Sequence, residues 1–211
     1  MKDTKQQTFW KSSFGRQYTD RSTLTPAEVD KLYLAVNGVK RSTVNKNFLG
    51  GLKLNSILEV GCNVGNILRM LKKADYGNLY GIEIQPYAVG KAHQIAPELN
   101  IIEGSAFDIP FKDGYFDLVY TSGVLMHIHP RDIKKALREI YRVTKKYIWG
   151  FESTADAYEE VEYRGNASCF WKANFVQMYL DLFPDLKLIK KQTYLYKKDK
   201  NKIDTVFLLK K

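Results

Sequence analysis

Short apolar runs alternate with longer mixed stretches through most of this chain. Ser56–Val60, Asn78–Ile84, Asn100–Glu103, Phe116–Thr121 and Tyr147–Glu152 are short and rich in Ile, Leu, Val and Tyr, and they read as strands. Between them, Asn66–Lys73, Pro86–Ala96 and Pro130–Val143 read as helices. In the last, Ile133, Leu137, Ile140 and Tyr141 recur at spacings of three and four, an apolar stripe suited to a sheet face. Upstream, Thr25-Pro26-Ala27-Glu28 is a helix start with a capping box, and a second helical stretch leads to the Gly50-Gly51 break. Downstream, a helix is expected over Ala167–Leu182, stopped by Pro184. Leu186–Tyr196 and Ile203–Leu209 then read as a hairpin around a lysine-rich turn. Strands alternating with helices build βαβ units. The pattern predicts one α/β domain over 1–211: a helical cap over 1–50, and over 51–211 a seven-stranded, mainly parallel sheet with helices on both faces and an antiparallel closing hairpin.

Composition narrows the classes. At 211 residues the chain can bury a core without staples, and 45% hydrophobic with 27% charged residues is the usual balance of a folded domain. No apolar run is long enough to span a membrane, and the polar start, Met1-Lys2-Asp3-Thr4-Lys5, lacks a signal-peptide pattern, so a cytoplasmic location is expected. Two cysteines, Cys62 and Cys169, make neither a disulfide framework nor a four-cysteine zinc site, and no metal is expected. The formal charge of +10 is uneven: residues 1–21 carry +3, residues 187–211 carry +7, and the segment between is neutral. That distribution argues against a uniform nucleic-acid-binding surface.

The most informative segment is Ile57-Leu58-Glu59-Val60-Gly61-Cys62-Asn63-Val64-Gly65-Asn66, a strand running into a glycine loop and then a helix. Dinucleotide binding would prefer G-x-G-x-x-G, and a P-loop needs Gly-Lys-Ser/Thr; neither is present. Glu59 would repel phosphates but suits a ligand bearing an ammonium or sulfonium group. Glu83 ends the next strand, 22 positions after Gly61; a carboxylate there can accept from two ribose hydroxyls. Glu103-Gly104-Ser105-Ala106-Phe107-Asp108 follows the third strand. Together the three segments resemble the cofactor motifs of class I S-adenosylmethionine-dependent methyltransferases. The resemblance implies that Rossmann-like fold, S-adenosylmethionine as cofactor and S-adenosylhomocysteine as product. It also implies a cofactor site on Glu59, Gly61, Asn63, Gly65, Glu83, Ile84, Ala106, Phe107, Asp108 and Ser122, with Phe107 stacked on adenine and Asp108 or backbone groups at its amino group.

The acceptor side carries less specific signals. The fourth strand leads into Thr121-Ser122-Gly123-Val124-Leu125-Met126-His127, which lacks both the Pro-Pro-aromatic tetrad of base-amino methyltransferases and a Pro-Cys nucleophile. It resembles enzymes acting on small molecules. His127 is a candidate general base, with packing under the cofactor as the alternative; His129 is a weaker candidate that could instead cap the next helix. Phe9–Arg21, Glu152, Tyr163-Arg164-Gly165-Asn166 and Phe170-Trp171-Lys172 resemble the pseudaminic acid biosynthesis-associated methylases, although Asn166 stands where a His is expected. That resemblance implies a nonulosonic sugar or its precursor as acceptor and Trp10, Tyr18, Glu152, Tyr163 and Arg164 as substrate-binding residues. Arg164 could hold a carboxylate or simply pair with Glu160 or Glu162. The rival reading is an RNA or DNA methyltransferase. Finally, if the hairpin closes this fold, Lys197, Lys198, Lys200 and Lys202 could overlook the rim of the site or form a solvated turn.

Overall fold

In the computed structural model, residues 3–211 are described. Four helices come first: α1 (Lys5–Lys11), α2 (Ser13–Ser22), α3 (Pro26–Val36) and α4 (Arg41–Leu49). The core then alternates β1 (Ile57–Val60), α5 (Asn66–Lys73), β2 (Leu79–Glu83), α6 (Pro86–Ile95), β3 (Asn100–Glu103), β4 (Phe116–Ser122), α7 (Ile133–Val143) and β5 (Thr144–Ser153). A two-residue pair, β6 (Glu159–Glu160) and β7 (Trp171–Lys172), precedes α8 (Phe175–Leu182) and the hairpin β8 (Lys187–Leu195) and β9 (Ile203–Lys210).

The seven-stranded sheet has the order β3-β2-β1-β4-β5-β9-β8. The first five of these strands run parallel, and β9 and β8 add antiparallel at the edge. This is the Rossmann-like methyltransferase fold. The order reverses direction beside β1, so the carboxyl ends of β1, β2 and β4 open a crevice there. Alternation along each strand supplies two cores. Ile57, Leu118, Tyr120 and Trp149 face α4, α5 and α6 through Phe48, Leu68, Leu71 and Ala92. Leu58, Val60, Val119 and Ile148 face α7 and α8 through Leu137, Ile140, Val176 and Tyr179.

Most boundaries follow local chemistry. The capping box at α3 is formed: the Glu28 backbone N–H donates to the Thr25 hydroxyl, and the Thr25 N–H to the Glu28 carboxylate at 2.8 Å. The expected helix over 167–182 is shorter, because the Asn174 side chain accepts from the Gln177 N–H and starts α8 only at Phe175. Residues before it pair as β7 or run irregularly. No helix among the described residues is long and apolar enough to cross a membrane.

The closing hairpin corrects one expectation. Its turn docks on the cap, with the Lys197 N–H donating to the Val36 carbonyl at 2.8 Å, while Lys202 pairs with Asp199. None of the four turn lysines lines the crevice.

Candidate functional site

A cavity of about 480 Å³ opens over the crevice, walled by the ends of β1, β2 and β4, the loop after β3, and the helices α1 and α2. Part of its wall is acidic. Glu59 is buried and accepts from the Tyr120 hydroxyl at 2.8 Å. Burial pushes its carboxyl up from 4.5 to about 8, against the downward pull of the Tyr120 bond and the Arg41 charge. Glu83 is also buried, and burial raises its pKa although it accepts from the backbone N–H groups of Asn63 at 2.8 Å and Gln85 at 2.9 Å. Each of its oxygens takes one of these bonds and keeps a lone pair for a ligand.

The loop between these acids has the geometry its glycines allow. Gly61 has φ +73°, and a Cβ there would lie 2.6 Å from Val124 Cγ2, so the backbone itself forms the cavity wall. Asn63 also has positive φ, and its amide nitrogen donates to the Thr19 hydroxyl of α2 at 3.1 Å. Gly65 has φ +73° as well, but its missing Cβ makes room for Ile101, and it lies off the cavity wall. Ile84, Ala106, Phe107 and Ser122 line the cavity; Ser122 is held by Arg41, whose Nη1 donates to its hydroxyl at 2.8 Å. Asp108 does not reach it. That residue is exposed and turns back through a backbone bridge to Ser105.

The outer end is aromatic. Trp10, Tyr18, His127 and Arg164 line it. The His127 ring lies 4.7 Å from Trp10 and 5.0 Å from Tyr163, edge to face. His127 Nδ1 is 2.7 Å from the Cys169 carbonyl, which can only accept; Nδ1 therefore carries the proton and Nε2 is an acceptor. Burial pulls this imidazole down to about 4, so it is neutral at physiological pH and a weak base. Tyr163 stacks on Phe170 behind the wall instead of lining it. Glu152 has a different place from the one expected. It is buried off the cavity, and its carboxylate accepts from the Val124 and Met126 N–H groups, bracing the loop that carries His127. His129 accepts from the Arg131 N–H, a capping role. Arg164 is exposed, with no ion pair to Glu160 or Glu162; Glu160 instead accepts from Ser168.

Several residues of the site carried no signal in the pattern of the chain. Gln85 is buried and donates to the carbonyls of Trp10 and Ser12, fastening α1 and α2 to the end of β2. Arg41, wholly buried, joins Ser122 to Tyr33 and Asn45. Gln7 reaches Ser105, Gln6 reaches Ser168, and Arg21 lines the mouth.

Residues 58–147 match the methyltransferase domain family. An uncharacterized methyltransferase of Synechocystis is 30% identical over 89 residues, covering 42% of each chain. Norajmaline N-methyltransferase of Rauvolfia serpentina is 33% identical over 98 residues, covering 43% of this chain and 32% of its own. The chain thus spans less than half the length of these curated relatives. Among solved structures, the Burkholderia thailandensis 1,6-didemethyltoxoflavin-N1-methyltransferase, with its substrate and S-adenosylhomocysteine bound, superposes with a TM-score of 0.69 at 13% identity, covering 100% of this chain and 92% of that one. The fold and the matched domain resemble those of class I S-adenosylmethionine-dependent methyltransferases. The cavity's lining fits S-adenosylmethionine, the methyl donor of that class. A buried acid suits the ammonium group, a second acid with free lone pairs suits ribose, and the backbone is bare where a ligand must approach closely.

Proposed function

We propose that the protein methylates a small polar acceptor, most specifically a nonulosonic sugar or a precursor of one. The observation that carries this reading is the mixed lining of a single cavity. Its wall holds the buried acids Glu59 and Glu83 together with aromatic rings and the cations Arg164 and Arg21. Glu59, Gly61, Asn63, Glu83, Ile84, Ala106, Phe107 and Ser122 would hold the cofactor. When bound, it supplies an electrophilic methyl carbon on a sulfonium centre.

The chain's own residues do the rest. Trp10 and Tyr18 present ring faces on which a pyranose or heteroaromatic acceptor can lie. Arg164, without a carboxylate partner, suits an anionic group such as the sugar carboxylate. The lone pair of His127 Nε2 accepts from an acceptor hydroxyl or amine and orients it; at a pKa of about 4 the ring positions that group more than it deprotonates it. Helices α1 and α2 roof the cavity and exclude water. The alkaloid and toxoflavin methyltransferases above, by their names, also act on small molecules, which supports an acceptor of that size.

The test is methyl transfer from labelled S-adenosylmethionine to a panel containing N-acetylneuraminate as a nonulosonic acid, neutral amines and total RNA. Label on the acidic sugar is the expected outcome. Label on RNA alone would overturn the acceptor class while leaving the cofactor reading intact.

A further inference from the structure

Arg41 is wholly buried, yet it makes no ion pair among the described residues. The rings of Tyr33, Trp149 and Phe151 surround its guanidinium, their centroids 5.2, 5.0 and 4.8 Å from Cζ. Its Nε donates to the Asn45 side chain, and its Nη1 donates to the Tyr33 hydroxyl at 3.0 Å and to the Ser122 hydroxyl at 2.8 Å. Asp204, a buried acid within range of its charge, already accepts from Ser153 and Asn37. A buried cation without a counter-ion is costly, and an anion bound beside it would offset that cost.

The two hydroxyls decide where that anion binds. Tyr33 and Ser122 both line the cavity and both are only half-buried. Each hydroxyl oxygen accepts from the same Nη1, so neither can turn its proton back on Arg41. Among the described residues, neither O–H donates to a protein acceptor. Two oxygens held to one nitrogen are close enough for a single carboxylate to span. Strand parity fixes their surroundings. Glu59 is level with Tyr120 in the β1–β4 register, and Ser122 follows two places on, so all three side chains face the α4 side of the sheet. Arg41 is also near enough for its charge to pull on the Glu59 carboxyl. An acid beside two O–H donors backed by a cation is complementary to an amino-acid zwitterion, with the ammonium on the acid and the carboxylate on the donors. S-adenosylmethionine ends in such a group.

We propose that the Tyr33 and Ser122 hydroxyls, aimed by Arg41, donate to the carboxylate at the amino-acid end of the cofactor. The assignment rests on the cofactor reading, and it makes α3 and α4 part of the cofactor site. Arg41 meets no ligand atom in this arrangement. It is a positioning residue that turns two hydroxyls into donors and supplies the positive charge behind them. A site built to hydrogen-bond a ligand group discriminates strongly against an analogue that lacks it.

Calorimetric titration into the full chain of S-adenosylhomocysteine and of its decarboxylated analogue, which keeps the amine and lacks only the carboxylate, tests the assignment. Wild type is expected to prefer the carboxylate-bearing ligand by about thirtyfold or more. Tyr33→Phe and Ser122→Ala each remove one O–H. Each should cut that preference about fivefold or more while affinity for the decarboxylated analogue holds within about twofold. Arg41→Met should lose the preference as well, and the two hydroxyl variants keep the test decisive if that variant does not fold. A preference retained in either hydroxyl variant, or in folded Arg41→Met, would overturn the assignment. Equal weakening of both ligands would overturn it too, reducing the hydroxyls to anchors for Arg41, as would a wild type without any preference. Wild-type protein that binds neither ligand would bring down the cofactor reading itself, and this assignment with it.

Discussion

Glu59, Gly61, Asn63 and Glu83 come from one strand–loop–helix–strand unit, and backbone hydrogen bonds lock them to one another. Trp10, His127 and Arg164 come from an amino-terminal helix, the loop after β4 and the segment between β6 and β7; Trp10 and His127 meet edge to face, and Arg164 joins them through the Tyr163 ring it leans over. The proposed cofactor end is thus built largely within one unit of the sheet, at the carboxyl ends of parallel strands. The acceptor end is a tertiary assembly of rings whose contacts are individually weak. Such an arrangement lets the first end keep its chemistry while the second changes with three independent segments. Perturbing the first should therefore cost much more than perturbing the second.

The largest effect is expected at Glu83. Replacing it with Ala would remove the proposed acceptor for two ribose hydroxyls and also strand the N–H groups of Asn63 and Gln85. With charged hydrogen bonds contributing roughly 1.5–3 kcal/mol each, S-adenosylhomocysteine affinity should fall at least about a hundredfold in calorimetry. Glu83→Gln, which keeps one acceptor oxygen, should fall between. An unchanged dissociation constant in the Ala variant would dissolve the distinction between the two ends.

Glu59 gives an intermediate effect that depends on pH. Its folded pKa of about 8 lies above the ordinary 4.5, so its favourable contribution is complete below about pH 4.5 and is lost as pH rises through about 8. The Tm of the unliganded protein should therefore drop from about pH 5 to 8, and Glu59→Gln should flatten that slope. It should not abolish it, because burial also lifts Glu152 to about 7. A ligand ammonium favours the ionised carboxylate. S-adenosylhomocysteine binding below about pH 8 should then release a proton, and affinity should rise by up to about tenfold per pH unit. Proton release measured in two buffers of different ionisation enthalpy checks this; none at pH 7, or the same release from Glu59→Gln, would remove Glu59 from the cofactor's ammonium.

The same division explains what could be read from the chain. The β1–β3 unit was legible because each strand is an apolar run ending in or near an acid, and the loop after β1 adds two glycines whose Cβ would meet Val124 or Ile101. Helix α7 was legible by spacing, α3 by its cap and α5 by its place between two strands. The bounds of α1 within the expected helical cap were not, although Thr4 and Gln7 form a capping box, because it has only 7 residues and too few apolar positions to show a period. Helix α8 was extended too far because the aromatic run Phe170-Trp171 looks helical until Asn174 is recognised as a cap. Glu152 and Asp108 illustrate a further limit. Sequence shows that a carboxylate follows a strand, but only tertiary structure shows whether it faces the ligand, a backbone loop or solvent. Gln6 and Gln85 are the converse, uncharged residues without a motif whose partners lie 162 and 75 positions away.

The smallest effect belongs to Arg164, and it probes the acceptor end alone. Its side chain is exposed, leans over the Tyr163 ring at 6.0 Å, and has no ion pair among the described residues. An exposed charge contributes modestly, so Arg164→Ala should raise the KM for an anionic acceptor by about three- to tenfold. Cofactor affinity should hold, because no bond joins Arg164 to the Glu59–Glu83 unit. Arg164→Lys restores charge without the planar fork and should recover part of the loss. A neutral acceptor should show no change in KM with either variant. If Arg164→Ala weakened S-adenosylhomocysteine as much as the acceptor, the outer segment would be holding the roof of α1 in place, and the two ends would be one cooperative structure.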